Sequence, residues 1–308
     1  MCTALEIRTE NEKSFFGRNM DLSYNFNQSV MIVPRGNNRI IGMGTLIDGH
    51  PMMADAMNED GLACAGLNFE GYAFFEKTAA SAKINIPSYD FILWVLFNHK
   101  TVKEVEKNIN NIELTDTPIN GNTPVPTLHW MIADSFGDTA VIEKTKNGLK
   151  FFSNPVKVMT NNPTFDWHLT NLNEYLYIKP DYREKTAWCE KELKPLGVGS
   201  GTLGLPGDFS SVSRFVRIAY LRSNLPILKD DSEAVSHFFN MLDNVKMIKG
   251  GVIAENGKEA YTIYSSCMDL EKGIYYYRTY ENSRINAVNL KKEQNNGEII
   301  LFPYSYES

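Results

Sequence analysis

The stretch Met1-Cys2-Thr3-Ala4-Leu5-Glu6-Ile7-Arg8, continued by Phe16-Gly17-Arg18-Asn19-Met20-Asp21, decides how the rest of the chain is read. Residues 2–8 alternate as a strand, with Thr3, Leu5 and Ile7 on one face. Glu10-Asn11-Glu12-Lys13 is a polar turn, and Ser14 to Ser23 reads as the returning strand. An antiparallel return brings Arg18 and Asp21 back beside Cys2. With Met1 removed, Cys2 carries a thiol and a free α-amine on the same carbon. An unperturbed thiol titrates near ~8.5 and an α-amine near ~7.7–8.0, so near neutral pH the amine can take a proton. A weak nucleophile with its own base is the N-terminal variant of the triad. A cation lowers a thiol's pKa and a carboxylate holds an ammonium; Arg18 and Asp21 supply one of each. A Cys after the initiator is by itself only a candidate, and Arg–Asp pairs are commonest on surfaces.

The 308 residues are 43% hydrophobic and 22% charged, which is ordinary globular usage. No run approaches the ~20 apolar residues of a membrane span, and no basic patch precedes an apolar stretch at the start. These features predict a cytoplasmic protein with no membrane partner. A net charge of −6 excludes nucleic acid as a partner. Cys2, Cys64, Cys189 and Cys267 are scattered, with no CxxC and no Cys/His cluster, so neither a disulfide framework nor a zinc site is expected. Cys64 and Cys267 read as small buried hydrophobes.

No linker, repeat or low-complexity tract divides residues 1–308, which predicts a single domain. Strands are expected at Ser29–Pro34 and Ile40–Ile47, with a hairpin at Asn58-Glu59-Asp60-Gly61. Pro87-Ser88 opens an apolar helix through Phe97, and Thr101 to Glu104 spells a capping box for the next. From Leu128 the pattern is strand again, ending in a short strand at Val156–Thr160. Helices are expected at Thr164–Leu176, Ser211–Leu221 and Ser232–Lys246. The C-terminal part returns to strands at AYTIYSS, GIYYYRTY and RINAVNL, with a turn at Glu271-Lys272-Gly273. Strands at both ends and helices in blocks predict an α+β layered fold with antiparallel sheets. Gly199-Ser-Gly201-Thr-Leu-Gly204 spells G-x-G-x-x-G, but Pro206-Gly207 stops any helix there, so it reads as a loop. The five histidines are far apart in sequence; His99 falls at a helix end and His129 in a strand.

Met-Cys-Thr at the start, FGRNMD at 16–21, GLNF at 66–69, TNNPTFDWH at 160–168 and GLPGDFSSVSRF at 204–215 together resemble the choloylglycine hydrolase family of N-terminal nucleophile hydrolases. The resemblance covers the whole chain in order. It implies a four-layer αββα sandwich, a cytoplasmic homotetramer, and no metal or organic cofactor. It assigns Cys2 as nucleophile, Arg18 and Asp21 as its charged neighbours, Asn161 and Asn68 to the oxyanion hole, and Arg214 as the arginine supporting the site. Met20, Ala54 and Ile119 fall where the family's pocket meets its substrate. The implied reaction is hydrolysis of the amide of glycine- or taurine-conjugated bile salts through a thioester. Penicillin V acylase or N-acyl-homoserine lactone acylase chemistry is the alternative, disfavoured by Asn68 where penicillin acylases tend to carry tyrosine. A non-catalytic binder of amphipathic anions is a third reading. Gly197-Val198-Gly199 lies where the family's amino-acid preference is set and leans toward taurine. From local sequence alone Asn161 fits a helix cap or turn equally well, and Arg214 sits in a helix's first turn, where the dipole disfavours a cation.

Overall fold

A computed structural model describes residues 1–303 of the 308-residue chain; residues 304–308 of the expected domain lie outside the described residues. Six strands come first: β1 Cys2–Arg8, β2 Ser14–Leu22, β3 Ser29–Arg35, β4 Asn38–Ile47, β5 His50–Asn58 and β6 Leu62–Asn68. Strand β7 Ile84–Pro87, helices α1 Phe91–Asn98 and α2 Val102–Asn108, and strand β8 Ile112–Thr115 follow. Next come β9 Leu128–Asp134, β10 Thr139–Thr145, β11 Gly148–Ser153, β12 Val158–Met159 and α3 Phe165–Asn171. The hairpin β13 Thr186–Trp188 and β14 Lys191–Leu193 precedes helices α4 Ser211–Ser223 and α5 Asp231–Asp243. Strands β15 Tyr261–Asp269, β16 Ile274–Thr279, β17 Asn286–Asn289 and β18 Ile300–Phe302 end the described chain.

Among the described residues two large antiparallel sheets form, in the orders β12-β1-β2-β15-β16-β17 and β11-β10-β9-β6-β5-β4-β3-β18. Helices α4 and α5 pack on the first sheet, α1 and α2 on the second, and β6 lies against β1 and β2. This is the helix–sheet–sheet–helix layering that the sequence motifs imply. One apolar core fills the space between the sheets and beneath α4 and α5; a second lies between the eight-stranded sheet and α1 and α2.

Every residue of β1 from Cys2 to Ile7 is buried. A sheet covered on both sides has no solvent face, so alternation sorts its side chains between two cores. Other boundaries move for local reasons. The helix expected from Thr164 runs α-helically only to Asn171 and continues as a 3₁₀ turn over Leu172–Tyr175. The strand expected at 156–160 shrinks to two residues, because the Asn154 side chain takes Lys157 N and donates to Val158 O. The Thr101 hydroxyl caps Glu104 N, while Glu104 reaches back to Lys100 N, one residue beyond the usual capping box. The glycine loop is indeed a turn: a Cβ on Gly201 would lie 2.1 Å from Asp181 O, so Gly201 serves close backbone packing.

Gly17 has a similar role in the central sheet. A Cβ there would lie 2.1 Å from Ser266 O in the neighbouring strand β15. Gly17→Ala is expected to cost about 3 kcal/mol, the upper range for overpacking a core, read as a lowered midpoint in denaturant unfolding. A midpoint within error of the parent would show that the strands separate freely.

Candidate active site

The turn between β1 and β2 fixes a register in which Cys2 faces Met20 and Ala4 faces Arg18. Residues directly opposite, and those two apart on one strand, share a face. Cys2, Met20 and Arg18 therefore point between the two sheets, whereas Thr3, Asn19 and Asp21 point toward α4 and α5. Cys2 is 2% exposed, and its Sγ lies 3.8 Å from Met20 Sδ. Met1 extends the ladder by one step: its amine donates to Asp21 O at 2.6 Å and its carbonyl accepts from Asp21 N at 2.9 Å.

Arg18 is fully buried and bridges the sheets. Its Nη1 donates to Gly66 O at 2.5 Å and Ala54 O at 3.2 Å, and its Nε donates to Asn19 O. Burial works against its charge, but Cys2, Tyr264, Asp55 and Asp21 outweigh it and hold the pKa above the usual arginine range. Asp55 stands behind it, accepting from Tyr264 at 2.5 Å and Tyr275 at 2.6 Å. Burial raises the Asp55 pKa, with Arg18 and these hydroxyls pulling the other way.

On the opposite face Asp21 Oδ1 accepts from Thr262 Oγ1 at 2.6 Å, while its buried Oδ2 has no partner among the described residues. Of the expected charged pair, Arg18 shares the thiol's face and Asp21 lies on the other face of the same strand. Strand alternation sends Asp21 to the side on which Arg214 lies.

Asn161 and Arg214 converge on the main chain of Cys2. Cys2 N donates to Asn161 Oδ1 at 2.7 Å, and Asn161 Nδ2 donates to Asn68 O at 2.7 Å. The side chain thus reaches back to β1 and β6 and caps no helix; α3 is preceded by Thr164. Arg214, in the first turn of α4, is fully buried. It donates to Cys2 O at 2.5 Å, Thr3 Oγ1 at 2.6 Å, Asn161 Oδ1 at 2.8 Å and Phe209 O at 3.0 Å. Burial lowers its pKa, with Asp21 and Cys2 opposing. Asn68 ends β6, its Oδ1 accepting from Thr127. Met20 and Ala54 both touch Arg18. Ile119 lies in the 116–127 segment, half-buried and in neither apolar core.

Sequence reading passed over the groups behind these residues. His168 Nε2 donates to Asn161 O at 3.0 Å, and its ring stacks on Phe215 at 4.4 Å. Burial lowers its pKa to about 4, against the hydrogen bonds to Asn161 and Asn162 and helped by the charges of His129 and Arg214. The unfolded chain therefore takes up this proton near pH ~6.5 and the folded one only near 4. Stability from neutral His168 is complete above pH ~6.5 and falls by about 3 kcal/mol as pH drops to 4. His168→Gln is expected to flatten that limb in denaturant unfolding across this range; an unchanged slope would place the acid sensitivity elsewhere.

A family model described as linear amide C–N hydrolases, choloylglycine hydrolase family, matches residues 2–301. The bile salt hydrolase/transferase of Clostridium perfringens is 44% identical, covering 99% of this chain and 97% of the relative. That of Lactiplantibacillus plantarum is 41% identical, covering 100% and 98%. The solved C2A mutant of conjugated bile acid hydrolase from Clostridium perfringens superposes with a TM-score of 0.95 at 43% identity, over 99% of this chain and 97% of that one. With an N-terminal cysteine in the central sheet and these full-length likenesses, the chain belongs to the choloylglycine hydrolase family, hydrolases of linear amide C–N bonds.

Proposed function

We propose that this protein hydrolyses the amide joining a bile acid to glycine or taurine, using Cys2 as nucleophile once Met1 is gone. The observation that carries the mechanism is the pinning of Cys2: its nitrogen sits on Asn161 Oδ1 and its carbonyl on Arg214. That leaves the sulfur the free part of the residue, beside Arg18. The full-length likeness to bile salt hydrolases supports the substrate class.

In the proposed reaction the α-amine takes the thiol proton and the sulfur attacks the amide carbon. Arg18, between the sheets, favours the thiolate. Asn161 Nδ2 and the Asn68 end of β6 supply donors to the oxyanion. The ammonium, held by Asn161 Oδ1 and by Asp21 Oδ2, which has no partner among the described residues, protonates the departing glycine or taurine nitrogen. A water, deprotonated by the same amine, then attacks the thioester and frees the bile acid. Met20, Ala54 and Ile119 are assigned to the acyl side.

A panel of glycine and taurine conjugates with phenoxymethylpenicillin, run beside a Cys2→Ser control, tests this. Release of glycine or taurine at a kcat/KM well above that for the penicillin is expected. No release above the control overturns the reading, and a higher kcat/KM on the penicillin reassigns the substrate. The same panel tests the taurine preference drawn from Gly197-Val198-Gly199. We further place the protein in the cytoplasm as a homotetramer of a single domain. Large apolar side chains left in water on the 176–203 segment, among them Tyr177, Trp188, Leu196 and Val198, support assembly. A solution mass other than four chains by light scattering would refute it.

A further inference from the structure

The connector from Met159 to Phe165 carries Asn161, and one buried pair holds it at both ends. His129 of β9 places Nε2 at 3.0 Å from Thr160 O and Nδ1 at 3.1 Å from Glu143 Oε1. Glu143 of β10 in turn accepts from Phe165 N, the first residue of α3, at 3.1 and 3.3 Å. Both side chains are 1% exposed. Each ring nitrogen of His129 faces an oxygen, Glu143 Oε1 on one side and Thr160 O on the other. A buried carboxyl needs hydrogen-bond partners, and Glu143 meets His129 Nδ1 and Phe165 N.

The ring of His129 also stacks flat on Phe69, centroids 4.1 Å apart and planes within 8°. Phe69 follows Asn68, whose carbonyl accepts from Asn161 Nδ2. One imidazole therefore touches both segments that bear the asparagines.

We propose that His129 and Glu143 are positioning residues that fix Asn161 and the Asn68 end of β6 where the oxyanion forms, an inference resting on the hydrolase reading above. Neither touches the substrate. Their loss acts by letting the connector drift, and a misplacement of about 1 Å in reacting geometry costs as much as ~10²-fold.

The test is a double-mutant cycle on hydrolysis of glycine- and taurine-conjugated cholate. In the parent, His129→Leu is expected to lower kcat roughly 10- to 100-fold with KM changed less than about threefold. His129→Gln, which keeps a donor for Thr160 O, restores a large part of the loss. In an Asn161→Ala background the same His129→Leu change costs less than about threefold, because its effect passes through a side chain already removed. Equal losses in both backgrounds, or an effect on KM alone, overturn the proposal. If His129→Leu does not fold, Glu143→Gln is read in the same cycle with the same expected dependence on Asn161. A crystal structure of whichever variant folds adds a readout independent of activity: Asn161 Nδ2 still seated on Asn68 O, with the connector unmoved, would overturn the proposal as well. An inactive parent would overturn the substrate assignment and leave that structural readout standing.

Discussion

A sample whose intact mass shows Met1 retained throughout is expected to hydrolyse conjugated bile salts about 10²–10⁴-fold more slowly than processed protein, the range that a positioned acid–base group contributes. With Met1 attached, the nitrogen of Cys2 is an amide that already donates to Asn161 Oδ1, and it cannot accept the thiol proton. Met1 also holds Asp21 through both of its main-chain groups, at 2.6 and 2.9 Å. Removing it turns the Cys2 nitrogen that sits on Asn161 Oδ1 into an ammonium and frees the Asp21 main chain. The folded protein tolerates Met1, since its ladder simply runs one residue longer, so the loss should be in kcat with little change in thermal stability. A spacer residue that blocks processing gives the sample. Full-speed hydrolysis by it would overturn the N-terminal mechanism while leaving the family assignment intact.

How much of this site could be read in advance follows from how far its partners lie along the chain. Cys2 faces Met20 because a short polar turn joins two alternating strands, and that signal is entirely local. The other neighbour of β2 is β15, about 240 residues on, so the pairing of Asp21 with Thr262 and the placing of Tyr264 beside Arg18 had no local trace. Asp55 offered one hint, a carboxylate inside the apolar run Met52-Met53-Ala54-Asp55-Ala56-Met57, which only a buried cation or hydroxyls can satisfy. His129 offered less, since a histidine in a buried strand has the same sequence signature whether or not it holds a loop. Strand β18 escaped notice because three residues at an edge carry too little pattern, and it is the register with β3 that defines it. The β13–β14 hairpin is exposed on both faces and lacks the alternation that marks a packed strand.

Replacing Arg214 by Met is expected to remove both activity and stability, and the structure separates the two effects. The guanidinium is fully buried and donates to four oxygens: Cys2 O, Thr3 Oγ1, Phe209 O and Asn161 Oδ1. A methionine fills the volume but leaves two carbonyls without a donor. At about 1–3 kcal/mol for each buried acceptor orphaned, the expected cost is about 3–5 kcal/mol, seen as a lowered midpoint in thermal or denaturant unfolding. The helix dipole works against a cation in this first turn by only about 0.3–1 kcal/mol, so the four hydrogen bonds prevail over it. Activity measured well below the unfolding midpoint isolates the second effect. Asn161 Oδ1 loses one of its two donors and Cys2 O its anchor, so kcat is expected to fall about 10²–10³-fold, the scale of losing one oxyanion donor. Arg214→Lys tests whether charge or shape matters. An ammonium has three donors and no planar fork, and it cannot span Phe209 O, Thr3 Oγ1 and Asn161 Oδ1 at once. The Arg214→Lys variant should therefore recover part of the stability and little of the kcat. Recovery of full kcat by lysine would mean that the positive charge alone supports Cys2, and that the fork holding its carbonyl and Asn161 is incidental.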